Sequence, residues 1–359
     1  MAAAENKEFK SFLKTVGGNE GNKCHYPTRL DTYGCGCQHD CKYCYAKSLL
    51  DFRKMWNPSH PSIVNIQSVH RAIVRNLKRG DIVRLGGMTD CFQPLERRHK
   101  ATYHTIEELN KHDIGYLIVT KSDMVADNQY ISLMRKDLAH IQISVTCTDD
   151  EFSRQYECAP IPSKRISAIE KLQRHGFDIQ LRLSPFIPQF IEKGVLDLDV
   201  INKVECDKIL VEFLRVNTWI KKWFDIDYSE YTLRSGGYHH LSLDKKIGYL
   251  SLITGFREMT VCEDVTEHYD YWRDHTNPNQ EDCCNLRGGY KDYHLNETRA
   301  QRGRKWPQIE YFRLWIRYIY GMRSVEQGRA LFFLTNRKET RSGNDGSGIS
   351  RGASRKLCA

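Results

Sequence analysis

Residues Tyr33–Ser48 read YGCGCQHDCKYCYAKS. Within them Cys37, Cys41 and Cys44 form C-x3-C-x2-C, three thiols in eight residues. The segment follows a first strand predicted near Arg29–Tyr33 and precedes a helix predicted from Tyr43 to Trp56. Working outward, short apolar runs at Ile82–Leu85, Tyr116–Thr120, Ile141–Thr146, Ile179–Leu183 and Ile209–Phe213 predict further strands. Amphipathic stretches lie between them at Leu95–Lys111, Ala126–Leu138 and Lys164–His175, with a weaker one near Leu196–Val204. Strands alternating with helices argue for an α/β chain of parallel βα units, either a barrel or an open doubly wound sheet. After Asp225 this rhythm breaks up into aromatic-rich helices such as Ile309–Tyr320.

The 359 residues suffice for a sizeable core, and 40% hydrophobic against 28% charged residues excludes a wholly disordered chain. No apolar run reaches the length of a membrane span, and the N-terminus MAAAENKEFKSFLK lacks the apolar core of a secretory signal. The expected location is therefore cytoplasmic, where thirteen cysteines stay reduced and clustering points to metal binding or catalysis. A net charge of +9 permits a polyanionic partner without requiring one. Six basic residues against two acidic ones, among glycines and serines, mark Arg337–Ala359 as a flexible basic tail. The expected division is an N-terminal arm over 1–22, a core over 23–225, a substrate-covering region over 226–336 and the tail over 337–359.

Iron–sulfur clusters are usually held by four protein thiolates, so a three-cysteine loop leaves one iron open to a reacting small molecule. A zinc site completed by Cys35 or His39 is the bland alternative. The tight C-G-C pair and the lack of a matching second C-x2-C make that set awkward.

C-x3-C-x2-C with an aromatic residue before its last cysteine, at the end of a first strand, resembles the radical S-adenosylmethionine (radical SAM) superfamily. The form CQHDCKYCYA, with His39, Tyr43 and Tyr45, is similar to the spore photoproduct lyase and DNA-repair-photolyase-like branch. Further likenesses follow in order: GGMTDCFQPLE at Gly86–Glu96, VTKS at Val119–Ser122, ISVTCT at Ile143–Thr148, ECAP at Glu157–Pro160 with Arg165, and LRLSPFIP at Leu181–Pro188. The resemblance spans roughly Thr28 to Phe190. It implies a partial (β/α)6 TIM-like barrel with a mainly helical C-terminal extension, a [4Fe–4S] cluster on Cys37, Cys41 and Cys44, and SAM at the barrel's open C-terminal face. It also implies a 5′-deoxyadenosyl radical that abstracts hydrogen, and an electron donor such as flavodoxin or ferredoxin. Under it, Gly86 and Gly87 approach the methionine part of SAM, and Thr89 and Asp90 reach its amino group or a water on its carboxylate. Lys121 pairs with the carboxylate, Ser144 and Arg182 contact ribose or carboxylate, and Tyr43 packs on adenine. The bland readings are a tight turn for the glycines, a solvated loop charge for Lys121 and a core aromatic for Tyr43.

The spore lyase carries a hydrogen-donating thiol just before its Thr-Ser-Asp segment, whereas Gly87–Asp90 reads GMTD here. Cys91, and the vicinal pair Cys283 and Cys284 from NQEDCCNLRGGY, are the candidate replacements; Cys262 lies nearby in the same half. Tyr269, Tyr271, Trp272 and Tyr290, with Arg273 and Arg287, are candidate nucleotide clamps or simply an aromatic core. The expected reaction acts on a thymine-derived base in DNA, with isomerase-like modification favoured over lyase-like repair because an isomerase that regenerates SAM needs no protein thiol. A peptide or small-molecule substrate stays open. From another class, a non-catalytic zinc-stabilised nucleic-acid-binding module is the competing expectation.

Overall fold

The sequence from Ala139 to Val145 is buried at every position, on both faces of its strand. A strand buried on both faces belongs inside a parallel sheet covered by helices. The computed structural model describes residues 13–15, 24, 26, 28–277 and 282–287. In it β1 (Leu13–Thr15) forms an antiparallel edge, followed in chain order by β2 (Thr28–Leu30), β3 (Ile82–Leu85), β4 (Gly115–Thr120), β5 (Ala139–Val145), β6 (Asp178–Phe186), β7 (Lys208–Phe213) and β8 (Glu258–Val261). β2 to β8 are parallel, each hydrogen-bonded to its predecessor. Seven parallel strands in sequence order, joined by helical connections, make the parallel α/β architecture expected from the pattern, in the partial-barrel form that the family resemblance implies.

Two boundaries differ from expectation. β1 lies within the arm predicted over 1–22, and β8 within the extension predicted to begin after Asp225. β8 pairs with β7 from Glu258↔Lys208 to Val261↔Val211, so the sheet runs on past that boundary. Between them stand a hairpin of Leu233–Ser235 with Tyr238–His240 and a helix at Leu243–Leu250; a helix at Thr266–His275 follows β8. The Ile309–Tyr320 helix, the basic tail and Tyr290 lie outside the described residues.

The helix predicted over Leu95–Lys111 is divided. Lys100 takes a left-handed φ of 49° between Glu96–His99 and Ala101–Lys111. The cause is buried Glu96, whose carboxylate accepts from the backbone of Thr102 (2.9 Å) and Tyr103 (2.8 Å), two donors that open the second helix, and from Tyr33 and Tyr130 hydroxyls. Along the barrel's inner rows, polar pairs replace aliphatic packing: His140–Asp178 at 2.6 Å, Gln142–Gln180 at 2.9 Å, and Arg182 with Glu212. The C-terminal ends of the strands thus open onto a polar interior. Among the described residues no helix is long and apolar enough to cross a membrane.

Candidate active site

The cysteine loop is fixed at its entrance by the pairing of Tyr33–Gly34 with Ser62–Ile63. Two turns then shape it, Asp40 N–H donating to the Cys37 carbonyl (3.1 Å) and Cys44 N–H to that of Cys41 (3.2 Å). Cys44 caps the helix Tyr45–Phe52, its sulfur accepting from Lys47 N–H at 3.4 Å. Cys37 and Cys41 are buried, Cys44 half-buried, and all three line one hollow of about 170 Å³ with His39, Tyr43, Thr89, Asp90 and Lys121. Burial pushes the Cys37 thiol up to about 12, with the Asp90 charge adding to it, and raises those of Cys41 and Cys44. Thiols so disfavoured as thiolates suit a metal centre whose positive charge replaces their lost hydration. Nδ1 of buried His39 stands 3.3 Å from Asp90 Oδ2, and its Nε2 has no hydrogen-bond partner among the described residues. Three thiols and this unsatisfied imidazole nitrogen on one hollow are a donor set that fits a metal cluster.

Behind the loop is a buried strut. The Glu157 carboxylate accepts from the Tyr43 hydroxyl and from Arg165, with both acid and guanidinium fully buried. The Cys41 thiol is 3.8 Å from the same acid. Burial alone would raise this carboxyl, but the Arg165 and Lys121 charges hold it below the usual carboxylate range. Lys42 N–H donates to the Tyr156 carbonyl (2.8 Å) and Cys158 N–H to that of His39 (2.7 Å), so residues 156–158 lie along the loop.

Gly86 follows β3 with φ +81°, and a Cβ there would meet the Val119 carbonyl oxygen at 2.6 Å. A glycine is therefore demanded by the chain's own backbone, whatever binds above it. Gly87 N–H donates to Asp31 (3.0 Å) and its carbonyl accepts from Tyr45 (2.9 Å). Thr89 donates to the Tyr33 carbonyl at 2.6 Å. Asp90 accepts from Thr120 Oγ1 (2.6 Å) and from the N–H groups of Lys121 (2.7 Å) and Phe92 (2.8 Å). Although burial raises it, His39 and these donors bring its carboxyl down to about 2. Both side chains are thus engaged in tying the loop after β3 to its neighbours.

Lys121 sits at the end of β4, its ammonium 5.4 Å from the Tyr43 ring centroid and 3.2 Å from the Ser184 carbonyl. It lines the first hollow and a second one of about 180 Å³. The two share Tyr45, Gly87, Lys121, Ser144 and Glu212, and so form one cleft at the C-terminal ends of the parallel strands, where α/β folds place ligands. Gly86, Arg182, Cys283 and Cys284 line only the second hollow. Arg182 donates to Gln142 (2.7 Å) and to Glu212. Cys91 lines neither: it is buried in the apolar core, its sulfur in reach of a Cβ built at Gly86, and burial pushes its thiol up. Of the proposed nucleotide clamps among the described residues, only Tyr269 lines the cleft; Trp272 is core, and Arg287 binds the carbonyls of Gly176 and Phe177.

Sequence reading overlooked Glu212 and Arg215. Glu212 accepts from Arg182, from Ser184 (2.9 Å) and from Arg215 (2.8 Å), joining the ends of β6 and β7 across the cleft. Their place at the end of a predicted parallel strand was the available signal.

Residues 32–192 match the profile of the Radical SAM superfamily. The match takes in the cysteine loop and β3 to β6, so this segment of the chain is similar to a radical SAM domain. The superfamily's cofactors are a [4Fe–4S] cluster and SAM, which sets aside the non-catalytic zinc-stabilised module. An uncharacterised protein of Methanocaldococcus jannaschii is 27% identical over 162 residues, which span 44% of this chain and 60% of that relative. Among solved structures, spore photoproduct lyase complexed with dinucleoside spore photoproduct is similar at a TM-score of 0.51 and 13% identity, over 71% of this chain and 80% of that one. A variant of that lyase with bound AdoMet and dinucleoside spore photoproduct gives 0.52 and 14% over the same shares. At such identities the likeness speaks to the fold.

Proposed function

We propose that this radical SAM enzyme, a cytoplasmic protein, abstracts hydrogen from a thymine-derived base in DNA and rearranges or modifies that base in an isomerase-like reaction. Cys37, Cys41 and Cys44 hold the [4Fe–4S] cluster, with electrons from a flavodoxin or ferredoxin. Cluster and SAM together supply a radical able to take hydrogen from an unreactive C–H bond. The protein's own part is positioning. Lys121 offers its ammonium to the SAM carboxylate, the Gly86–Gly87 backbone borders the methionine portion, and Tyr43, Ser144 and Arg182 flank the rest. Thr89 and Asp90 hold that loop in register.

The observation supporting modification over repair is the position of the thiols. The stretch Gly87–Asp90 beside the cluster loop contains none, and Cys91 is enclosed in the core. A second reading, lyase-like repair of a thymine dimer with a thiol relay, is favoured by Cys283 and Cys284, which line the far hollow.

Anaerobic incubation with SAM, reductant and thymine-containing DNA, followed by nucleoside mass spectrometry, tests the reading. An altered thymine nucleoside with no deuterium taken from solvent is expected. SAM cleavage without any changed nucleoside would remove DNA as the substrate. With dimer-containing, ultraviolet-irradiated DNA in place of undamaged DNA, solvent deuterium in a repaired product, lost on Cys283→Ala or Cys284→Ala, would establish the relay instead.

A further inference from the structure

Four cysteines from three distant parts of the chain line the end of the cleft away from the cluster loop. Cys24 precedes β2, Cys262 follows β8, and Cys283 and Cys284 stand in the segment 282–287; all four line the second hollow. None of them is in a disulfide. The Cys283 thiol is within hydrogen-bond reach of both Cys262 and Cys284. Cys24 and Cys262 pack on the same small apolar cluster, Tyr26, Ile82, Leu117 and Leu286, that encloses the vicinal pair.

The segment that presents the pair is heavily tied. Asp282 accepts from the Tyr26 hydroxyl (2.7 Å) and from Cys284 N–H (2.9 Å). Gln180 donates to the Cys284 carbonyl, Lys208 to that of Asn285 (2.8 Å), and Arg287 N–H to Asp178 (2.7 Å). These bonds hold the segment against the inner rows of β6 and β7. The Arg182 guanidinium lies close enough for its charge to act on Cys262 and Cys284.

Thiols are weak hydrogen-bond partners, so their mutual contacts contribute little to holding such an arrangement. What sulfurs from separate elements do well in common is bind a thiophilic metal, with a neighbouring cation offsetting the excess negative charge. We propose that Cys24, Cys262, Cys283 and Cys284 form a second metal centre, a four-thiolate site for a zinc ion or an iron–sulfur cluster. Four protein ligands leave no open position, so this centre is structural and fastens segment 282–287 to the ends of the sheet. On binding, the thiol protons pass to solvent. A coordinated sulfur then has no S–H to give, which removes Cys283 and Cys284 as hydrogen donors. The proposal is independent of the DNA reading, because its readout is metal and not product.

The test uses the full chain purified anaerobically with Cys37→Ala, Cys41→Ala and Cys44→Ala combined, so that the first cluster is absent. Zinc, iron and sulfide are counted, and X-ray absorption reads the ligand shell. Stoichiometric zinc with four sulfurs at about 2.3 Å supports the site with zinc; iron with sulfide supports it as a cluster. Adding Cys262→Ser or Cys283→Ser should lower metal affinity by at least about tenfold, whereas Cys206→Ala should not. If a serine variant fails to fold, the sulfur shell of the triple variant still decides. Only trace metal in the folded triple variant, even after zinc or iron with sulfide is supplied under reduction, would overturn the proposal. So would bound metal indifferent to Cys262 and Cys283, or a Cys262–Cys283 disulfide in the purified chain.

Discussion

Removing the charge of Glu157 tests the view that the cysteine loop rests on a buried ion pair. Glu157 and Arg165 are both without solvent exposure. Glu157→Gln preserves the shape and one acceptor for Tyr43 but leaves the Arg165 guanidinium with no counter-charge. Breaking a buried pair from one side costs about 3–5 kcal/mol, a large part of the roughly 5–15 kcal/mol a domain holds. Arg165→Met strands the Glu157 carboxylate and also deprives the Ser144 carbonyl of its 3.1 Å donor. Each single variant should therefore be strongly destabilised. The double variant buries no unpaired charge, and its loss should fall short of the sum by about 2–3 kcal/mol. Anaerobic urea unfolding of the four proteins, followed by circular dichroism, measures this cycle. Additive losses would show that the two charges do not support one another and would refute the strut. Iron content gives a further reading. The Glu157→Gln protein should bind its cluster less tightly, because Tyr43 and residues 156–158 all meet the cysteine loop.

Three other outcomes are expected. Cys37→Ala, Cys41→Ala or Cys44→Ala should each abolish the cluster and SAM cleavage. Cys35→Ala should keep both, since Cys35 lines neither hollow; iron lost from that variant alone would reverse the ligand assignment. Lys121→Ala should weaken SAM binding roughly 10- to 150-fold, the worth of one charge-assisted contact of about 1.5–3 kcal/mol, while iron content holds; an unchanged dissociation constant would take Lys121 out of the site. Asp178 is raised by burial but brought down to about 2, from 3.8, by His140, the Arg287 N–H and Lys208. A depressed carboxyl stabilises the fold fully above its unfolded value and loses that contribution as pH falls from 3.8 toward 2. Asp178→Asn should therefore cost about 2 kcal/mol at neutral pH, and the gap from the parent protein should close across that acid window; a gap constant with pH would contradict it.

The strand cores were legible because continuous apolar runs marked them. Ile82–Leu85 coincides with its prediction, and the next four parallel strands differ from theirs only at the ends. β8 was not legible: EMTV is short, mixed in polarity and stands after the alternation has broken up. The helix Ile66–Asn76 was also missed, although Val69 and Ile73 turn inward at helical spacing; its other large apolar residues, Ile66 and Val74, are exposed and blur the buried face. Division of the Leu95–Lys111 helix depended on Glu96 turning inward to cap the second half, a tertiary event that local periodicity does not carry. The cysteine motif marked its loop, and strand-end position with the family likeness picked out Lys121, Ser144 and Arg182, all of which line the cleft. The same rule would have supplied Glu212. The gathering of Cys24 and Cys262 with the vicinal pair depended on how segment 282–287 enters the barrel, which spacing along the chain does not encode.

Counting hydrogen-bond capacity separates residues that build the cleft from those left to serve a ligand. Asp90 meets Thr120, Lys121 N–H and Phe92 N–H, and Thr89 gives its proton to the Tyr33 carbonyl. The Tyr43 hydroxyl is committed to Glu157, and Arg182 is shared between Gln142 and Glu212. These side chains fix the loop and the strand ends in place, and any ligand they met would compete with bonds already made. The Lys121 ammonium has three donors and, among the described residues, one hydrogen-bond acceptor, the Ser184 carbonyl. It also borders both hollows, beside Tyr43 and within electrostatic reach of Glu157 and Cys41. A cation with spare donors between the cysteine loop and the rest of the cleft is placed to capture a carboxylate without dismantling its surroundings. On this reasoning we propose Lys121, rather than the acidic and hydroxyl groups of the Gly87–Asp90 loop, as the group that captures the amino-acid end of SAM.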